Sequence, residues 1–377
     1  KGQLAFLNKH YNCIAISGED EHLKKVAQRE KVATIPIHFE RSISLFKDLV
    51  SLYKLCRVLK KEKPLIVHSI TPKAGLLTMI AAYLTRVPIR MHTFTGLVFP
   101  SKTGFFQKLL IFLDKLLCKC ATNVYPEGLG VKNDLQKYNI TNKTLKVLGN
   151  GNVNGIDTNY FNSSHFSEIE LNTLKQKLGI LKDDIVFVFI GRLVADKGIN
   201  ELVSVFKKLT KTHNEQAERS NLKIKLLLVG SYEQDLDPLK TETILEIDLN
   251  KQIITTGYQD DIRPYLAIST AMVFPSYREG FPNVVLQAGA MGLPSIVTNI
   301  NGSNEIIKDK KNGLIVPLKN EQALEDAMFK VITDKVLREN ISKNARLIIT
   351  SKFKQQFVWD ALLNEYQLLI DEYNSKK

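Results

Sequence analysis

The sequence predicts an α/β chain built from two doubly wound, Rossmann-like domains in succession, and three observations predict it. Short runs of β-branched and aromatic residues alternate with longer stretches of helical periodicity, the signature of parallel strands joined by crossover helices. The alternation halts at Gly149-Asn150-Gly151-Asn152-Val153-Asn154-Gly155-Ile156-Asp157, a segment rich in residues that tolerate positive φ, and then restarts. The 377 residues also exceed what one hydrophobic core usually organises.

In the first half the strand candidates are Asn12–Ser17, Val32–His38, Leu65–Ile70, Ile89–Phe94, Asn123–Pro126 and Leu145–Leu148. Helical patterns near 21–31, 43–63, 73–86, 104–120 and 129–138 separate them. The opening residues Lys1–Leu7 read as the middle of a helix, so this domain is expected to lack its first strand and the loop after it. In the second half the strands are Ile185–Ile190, Lys225–Val229, Ile253–Thr256, Ala271–Pro275, Ser295–Thr298 and Gly313–Val316. Helices are expected near 198–213, 236–247, 262–268, 283–292, 320–333, 336–350 and 355–373. The domains are therefore placed at 1–150 and 151–355, facing across a cleft, with the closing helix in 356–377 crossing back to the first. Ligands of such sheets bind at the carboxyl ends of the strands, which makes the cleft the expected site.

The net charge of +13 is unevenly spread. Residues 1–160 hold 24 Lys/Arg against 11 Asp/Glu, whereas residues 161–377 balance at 28 against 28. The first half is thus expected to meet something anionic: a phosphate-bearing substrate, a membrane surface or a nucleic acid. Cysteines 13, 56, 118 and 120 form no C-x-x-C and have no nearby His at ligand spacing, which suggests neither a disulfide framework nor a zinc site. With no signal peptide and no run of 18 apolar residues, a cytoplasmic location is expected.

The chemistry concentrates in Phe274-Pro275-Ser276-Tyr277-Arg278-Glu279-Gly280-Phe281-Pro282-Asn283-Val284-Val285-Leu286-Gln287-Ala288-Gly289-Ala290-Met291-Gly292-Leu293-Pro294. A strand enters a polar loop, Pro282 opens a helix where its missing N–H costs nothing, and Gly292-Leu293-Pro294 ends it. The amides of Asn283 and Val284 then point from the helix N-terminus toward the sheet's carboxyl edge, an anion site. Glu279 precedes the helix, where its carboxylate either accepts sugar hydroxyls or complements the helix dipole. Gln287 either reaches a ribose or is a solvated polar residue. A second element, Phe189-Ile190-Gly191-Arg192-Leu193-Val194-Ala195-Asp196-Lys197-Gly198, ends a strand in a glycine that gives a ligand room, then adds two cations suited to a diphosphate.

Together these stretches resemble glycosyltransferase family 4 and the wider GT-B group, over nearly the whole chain. The G-R-x4-K-G element lies at Gly191–Gly198, the R-E-G-F-P-N-V-x-x-E-A-x-A-x-G-x-P element at Arg278–Pro294, and the closing N-G-x-x-V-P at Asn312–Pro317. The resemblance implies that Arg192 and Lys197 bind the diphosphate of a nucleotide-sugar donor and that Glu279 holds the donor sugar. It further implies that Gly191, Gly280, Phe281, Pro282, Asn283 and Val284 complete the donor site, and that position 287 holds the ribose. Two departures stand out. Position 287 is Gln where the family pattern usually has Glu. The His-Gly that often follows the fourth strand is here Thr95-Gly96, with His92 three residues earlier, so the acceptor-side role stays open between Thr95 and His92.

The resemblance implies retention at the anomeric carbon, with the leaving phosphate taking the acceptor's proton. It implies no metal and no cofactor, and Asp183-Asp184 and Asp260-Asp261 read as caps. Relatives with a similar H-T-F-T-G stretch look like bacterial enzymes of capsule, O-antigen or exopolysaccharide assembly, which implies a UDP-linked hexose or N-acetylhexosamine as donor and a polyprenyl-diphosphate-linked saccharide as acceptor. Lys47, Lys54, Lys61 and Arg57 on the helix over 43–63, and Lys108, Lys115 and Lys119 on that over 104–119, pattern as basic amphipathic surfaces. They fit either peripheral contact with the inner leaflet or ordinary solvated lysines. The loop Gly96–Lys102 is expected to expose Phe99 to a lipid-linked acceptor. A nucleotide-sugar 2-epimerase and a non-catalytic nucleotide-sugar binder are the competing readings; no nucleic-acid-binding module is recognisable.

Overall fold

The computed structural model describes residues 1–18, 20–40, 44–216, 223–233 and 237–377. The chain forms two compact units, one of residues 1–155 with 355–377, the other of residues 156–354. The first unit carries 26 Lys/Arg against 14 Asp/Glu and the second 26 against 25, so the positive excess belongs to the first.

The first unit runs α1 (Gln3–Leu7), β1 (Ile14–Ser17), α2 (Glu21–Glu30), β2 (Ala33–Pro36), α3 (Leu45–Glu62), β3 (Ile66–Ser69), α4 (Pro72–Leu84), β4 (Ile89–Phe94), α5 (Gly104–Cys120), β5 (Asn123–Pro126) and α6 (Leu129–Lys137). All its strands are parallel, but they fall into two sheets, β1–β2 and β3–β4–β5. The segment Leu145–Leu148 forms no strand, contrary to expectation. Its apolar residues still pack, Leu145 against the cluster around Phe99 and Leu148 against that around Met91, so burial explains the β-like composition without a ladder. Phe99 also departs from expectation. It is fully buried in a turn of 3-10 helix, with Tyr138 meeting its ring edge-on at 4.9 Å.

The second unit runs α7 (Glu168–Lys177), β6 (Ile185–Ile190), α8 (Ile199–Gln216), β7 (Ile224–Val229), α9 (Thr241–Leu249), β8 (Ile253–Gly257), α10 (Arg263–Ala267), β9 (Ala271–Phe274), α11 (Asn283–Ala290), β10 (Ser295–Thr298), α12 (Ser303–Ile306), β11 (Gly313–Val316), α13 (Glu321–Thr333) and α14 (Lys335–Lys352). One parallel sheet holds the strands in the order β8-β7-β6-β9-β10-β11. The chain winds outward from β6 to β8, then returns to the other side of β6 and winds out to β11. The direction reverses between β6 and β9, and a crevice opens at the carboxyl ends of the strands at such a point. Central β6, Ile-Val-Phe-Val-Phe-Ile, is buried along its whole length, as a strand covered by helices on both faces must be. The helix expected over 236–247 starts only at Thr241, and residue 236 lies outside the described residues. Asp237 belongs to a loop instead, where its carbonyl accepts the Ala195 N–H at 3.2 Å and its carboxylate the Asp196 N–H at 2.5 Å.

The closing helix, α15 (Gln355–Ser375), belongs to the first unit. Val358, Leu362, Glu365 and Leu369 are buried at three- and four-residue spacing, one stripe of a helix. Within that stripe Glu365 accepts the Tyr125 hydroxyl at 2.8 Å on one oxygen and the Lys146 ammonium on the other. Glu365→Ala leaves the buried Tyr125 hydroxyl without its acceptor, so it should cost about 1–3 kcal/mol of stability, measured by chemical denaturation.

Candidate functional site

The loops that follow β6 and β9 lie side by side at the reversal point of the second unit's sheet. Glycines let them approach. Gly198 holds φ +72°, and a Cβ there would fall 2.2 Å from the Pro275 carbonyl oxygen; a Cβ on Gly230 would fall 1.8 Å from that of Gly191. The Tyr277 N–H donates to the Asp196 carbonyl at 2.8 Å and ties the loops together. No other residue type allows both the positive φ and the contact at Gly198.

Lys197, Glu279 and Arg192, three of the residues singled out by sequence, converge here, and Arg278 joins them. Lys197 Nζ bonds Glu279 Oε1 at 2.5 Å, with the two side chains only 14% and 18% exposed. The Lys197 ammonium also stands 5.9 Å from the centre of the Phe274 ring. Arg192 is more open and pairs with Glu233 at 2.8 Å, and that bond raises the guanidinium pKa above its ordinary value. Arg278 pairs with Asp196 at 3.2 Å. Arg192, Lys197 and Arg278 are therefore each held by a carboxylate, an arrangement that an incoming anion can exchange for its own oxygens.

Pro282 caps α11, so the helix begins at Asn283, and the Pro282 carbonyl accepts the N–H groups of Val285 and Leu286 at 3.1 and 3.4 Å. The positive end of the helix dipole adds to Arg192 and Lys197. Gln287 is one turn beyond Asn283 on the same face and is half-buried. Phe281 is buried against Phe353, with ring centres 5.5 Å apart. Gly280 supplies the carbonyl over which Gly302 packs, and a Cβ on Gly302 would come within 2.3 Å of it.

In the first unit, His92 lies within β4 and Thr95 and Gly96 just beyond its end, in different surroundings. His92 is 1% exposed, with Nδ1 2.8 Å from the Ser69 hydroxyl and its ring edge-on to Phe94. Gly75 lies against the ring, and a Cβ there would be 2.6 Å from Cε1. Burial pushes the His92 pKa down to about 3. Thr95 is half-buried, its hydroxyl donating to the Ile70 carbonyl at 2.9 Å, and Gly96 takes φ +127° beside it. The histidine that faces a cavity is His68, which was not singled out. Its Nδ1 meets the Tyr366 hydroxyl at 2.7 Å and its Nε2 the Thr93 hydroxyl at 2.8 Å, and Glu127 and Asn152 share the cavity, of about 170 Å³. Burial pushes the His68 pKa to about 4. A lone His inside a strand carries no signal that Tyr366, 298 positions away, will meet it.

Ser276 and Thr298 were also missed. Both are buried; the Ser276 hydroxyl donates to Glu279 Oε1 at 2.8 Å, and the Thr298 hydroxyl donates to the Ser276 carbonyl. Among the described residues no three His, Cys, Asp or Glu side chains gather as a metal site. Asp184 accepts the Leu181 N–H at 2.9 Å and Asp261 pairs with Arg263 at 2.6 Å, both local structural roles.

Two family models match the chain, "Glycosyl transferases group 1" over residues 171–348 and "Glycosyl transferase 4-like" over residues 3–127. The capsular polysaccharide biosynthesis glycosyltransferase CapM of Staphylococcus aureus is 33% identical over 379 residues, covering 100% of this chain and 95% of the relative. The Escherichia coli UDP-Gal:alpha-D-GlcNAc-diphosphoundecaprenol alpha-1,3-galactosyltransferase is 31% identical over 320 residues, covering 83% of this chain and 78% of the relative. Among solved structures, a glycosyltransferase from Rickettsia africae superposes with a TM-score of 0.78 at 20% identity, over 98% of this chain and 93% of the other. Anabaena HepE in complex with UDP and glucose superposes with a TM-score of 0.79 at 17% identity, over 97% and 95%. These two likenesses establish the fold.

Gly302→Ala should displace the Gly280–Pro282 loop and cost about 1–3 kcal/mol of stability, read by thermal unfolding. The imidazoles of His68 and His92 stay neutral in the folded protein well below the ordinary value of about 6.5. Unfolded histidines take up protons first, so this contribution to stability is full above that value and is lost as pH falls toward about 4 for His68 and about 3 for His92. NMR of the two rings should accordingly show no titration between about pH 7.5 and about pH 5.

Proposed function

The chain belongs to the group 1, family 4 glycosyltransferases of the GT-B fold, and from that membership we propose that it moves a hexose or N-acetylhexosamine, with retention, from a UDP-sugar to a polyprenyl-diphosphate-linked saccharide in surface polysaccharide assembly. The observation that carries this reading is the convergence of Arg192, Lys197 and the N-terminus of α11 at the reversal point of the second unit's sheet, with Glu279 on Lys197. CapM is named for capsular polysaccharide biosynthesis, and the E. coli relative for transfer from UDP-Gal to a diphosphoundecaprenol-linked sugar, which supports the donor and acceptor classes.

In the proposed reaction the donor diphosphate takes the place of Glu233 on Arg192 and adds to the coordination of Lys197. As the bond from the anomeric carbon to the β-phosphate oxygen breaks, negative charge grows on that phosphate, where both cations and the first amides of α11 stabilise it. The same phosphate oxygen takes the proton from the attacking acceptor hydroxyl, so no protein base is required. Glu279 accepts hydroxyls of the donor sugar, and Gln287 offers its amide oxygen to the ribose. The charge-stabilising work falls to fixed cations, and no divalent ion is assigned a part.

Membrane contact through the first unit is part of the proposal. Among the described residues no helix is long and apolar enough to cross a bilayer. Helices α3 and α5 both pack against α4 and expose Leu45, Phe46, Leu49 and Tyr53 on the former and Phe105 and Phe112 on the latter. Exposed Lys54, Arg57, Lys61, Lys108, Lys115 and Lys119 accompany these apolar residues, in the unit that carries the charge excess. An apolar ridge with basic flanks suits an anionic leaflet.

Thermal unfolding with UDP, GDP and ADP in the presence of EDTA tests the donor site. Saturating UDP, at about a hundred times its dissociation constant, should stabilise the protein by about 2.7 kcal/mol, and Arg192→Ala and Lys197→Ala should abolish most of this gain. Stabilisation only with added divalent metal, or none with any nucleotide, would contradict the assignment. Cosedimentation with phosphatidylglycerol vesicles should fall on raising the salt and in a Phe105→Ser/Phe112→Ser double variant. Equal turnover on a free soluble sugar and on a lipid-linked one would sink the acceptor reading.

A further inference from the structure

Ser276 does not reach the ligand edge itself, yet its contacts determine how Glu279 can present its carboxylate. The serine follows β9 by two residues and is fully buried. Its hydroxyl lies 2.8 Å from Glu279 Oε1 and 3.3 Å from the Arg278 carbonyl oxygen. Both neighbours can only accept, so the single hydroxyl proton goes to the shorter, charged contact. The serine cannot drift, because its own carbonyl accepts the hydroxyl of Thr298, a buried residue at the end of β10. On the other side of Glu279, Gly302 packs against Gly280, Phe281 and Pro282 and holds the chain there. Glu279 is therefore suspended between two fixed points.

Lys197 bonds the same oxygen, Oε1, at 2.5 Å. With two donors on Oε1, turning the carboxylate would break two charge-assisted bonds in a mostly buried setting, which costs more than either bond at the surface would. Oε2 lies outside both bonds and is the oxygen left to accept from a ligand.

We propose that Ser276 is a positioning residue which, by fixing Oε1 of Glu279 together with Lys197, turns Oε2 toward the hydroxyls of the donor sugar and so sets discrimination between sugars, not affinity for the nucleotide. This rests on the donor assignment made above. Lys197 has two duties, phosphate binding and orientation of Glu279, whereas Ser276 has only the second, and the two can therefore be separated by mutation.

The test is calorimetric titration of the whole chain with UDP, UDP-galactose and UDP-N-acetylglucosamine, comparing wild type with Ser276→Ala and Ser276→Cys. Cysteine keeps the shape with a weaker donor, and it carries the test if the alanine variant does not fold. In the alanine variant UDP should bind within about twofold of wild type, while the preferred UDP-sugar should lose about tenfold, the worth of one hydrogen bond to a charged group. The cysteine variant should fall between. The ratio of affinities for the two sugars should shrink toward unity, a change that mere loosening of the loop would not produce. A parallel loss of UDP and UDP-sugar affinity, or discrimination that survives Ser276→Ala, overturns the inference while the donor reading stands. Wild-type protein that binds none of the three overturns the donor reading and this inference with it.

Discussion

Lys197 and Glu279 are 82 positions apart in sequence and 2.5 Å apart in space, partly buried, on loops that leave two neighbouring strands of one sheet. A charge pair withdrawn from water in this way is held only when the surrounding geometry is fixed. The fixing is done by backbone: the reversal of winding direction between β6 and β9 brings the loops together, Gly198 removes the side chain that would hold them apart, and Gly230 and Gly302 let the chain after β7 and after β10 close on them from either side. Ser276 and Thr298 then take up the remaining freedom with hydroxyl bonds from below. Most of the second unit's core exists on either side of this point, with fully buried β6 at its centre.

The same constraint explains why carboxylates and cations alternate at the edge. A cluster of unpaired Arg and Lys beside a helix N-terminus would repel itself in the absence of ligand. Glu233, Glu279 and Asp196 neutralise Arg192, Lys197 and Arg278 in turn. A diphosphate supplies more charge and more acceptor oxygens than a single carboxylate does, so exchange is favourable without any new cation. In the proposed reaction the growing charge on the leaving phosphate would thus meet groups already in place.

Much of this was legible in the sequence, for reasons that can be named. The second unit's strands read clearly because a parallel strand buried on both faces is a continuous apolar run, as in Ile185–Ile190. Arg192, Lys197, Glu279 and the start of α11 were legible because each is punctuated locally, by Gly191, Gly198 and Pro282. What escaped depends on partners remote in sequence. Ser276 looks like one more polar loop residue until Glu279 and Thr298 are seen around it. Phe99, between Val98 and Pro100, reads as an exposed loop tip, yet Tyr138 covers it. Leu145–Leu148 has strand composition but no ladder, and His68 acquires its hydroxyl partners from β4 and from α15 at the far end of the chain. Departures from family pattern, Gln287 and Thr95, were visible at once, and their surroundings show a half-buried helix position and a threonine bonded to the Ile70 carbonyl.

The most direct measurement is a crystal structure of the protein with UDP bound in the absence of divalent metal. The diphosphate is expected against the Gly191–Lys197 loop and the N-terminus of α11, with Arg192 released from Glu233 onto phosphate and Glu279 still on Lys197 and Ser276. UDP bound elsewhere on the chain, or with its diphosphate turned away from Arg192 and Lys197, would contradict it.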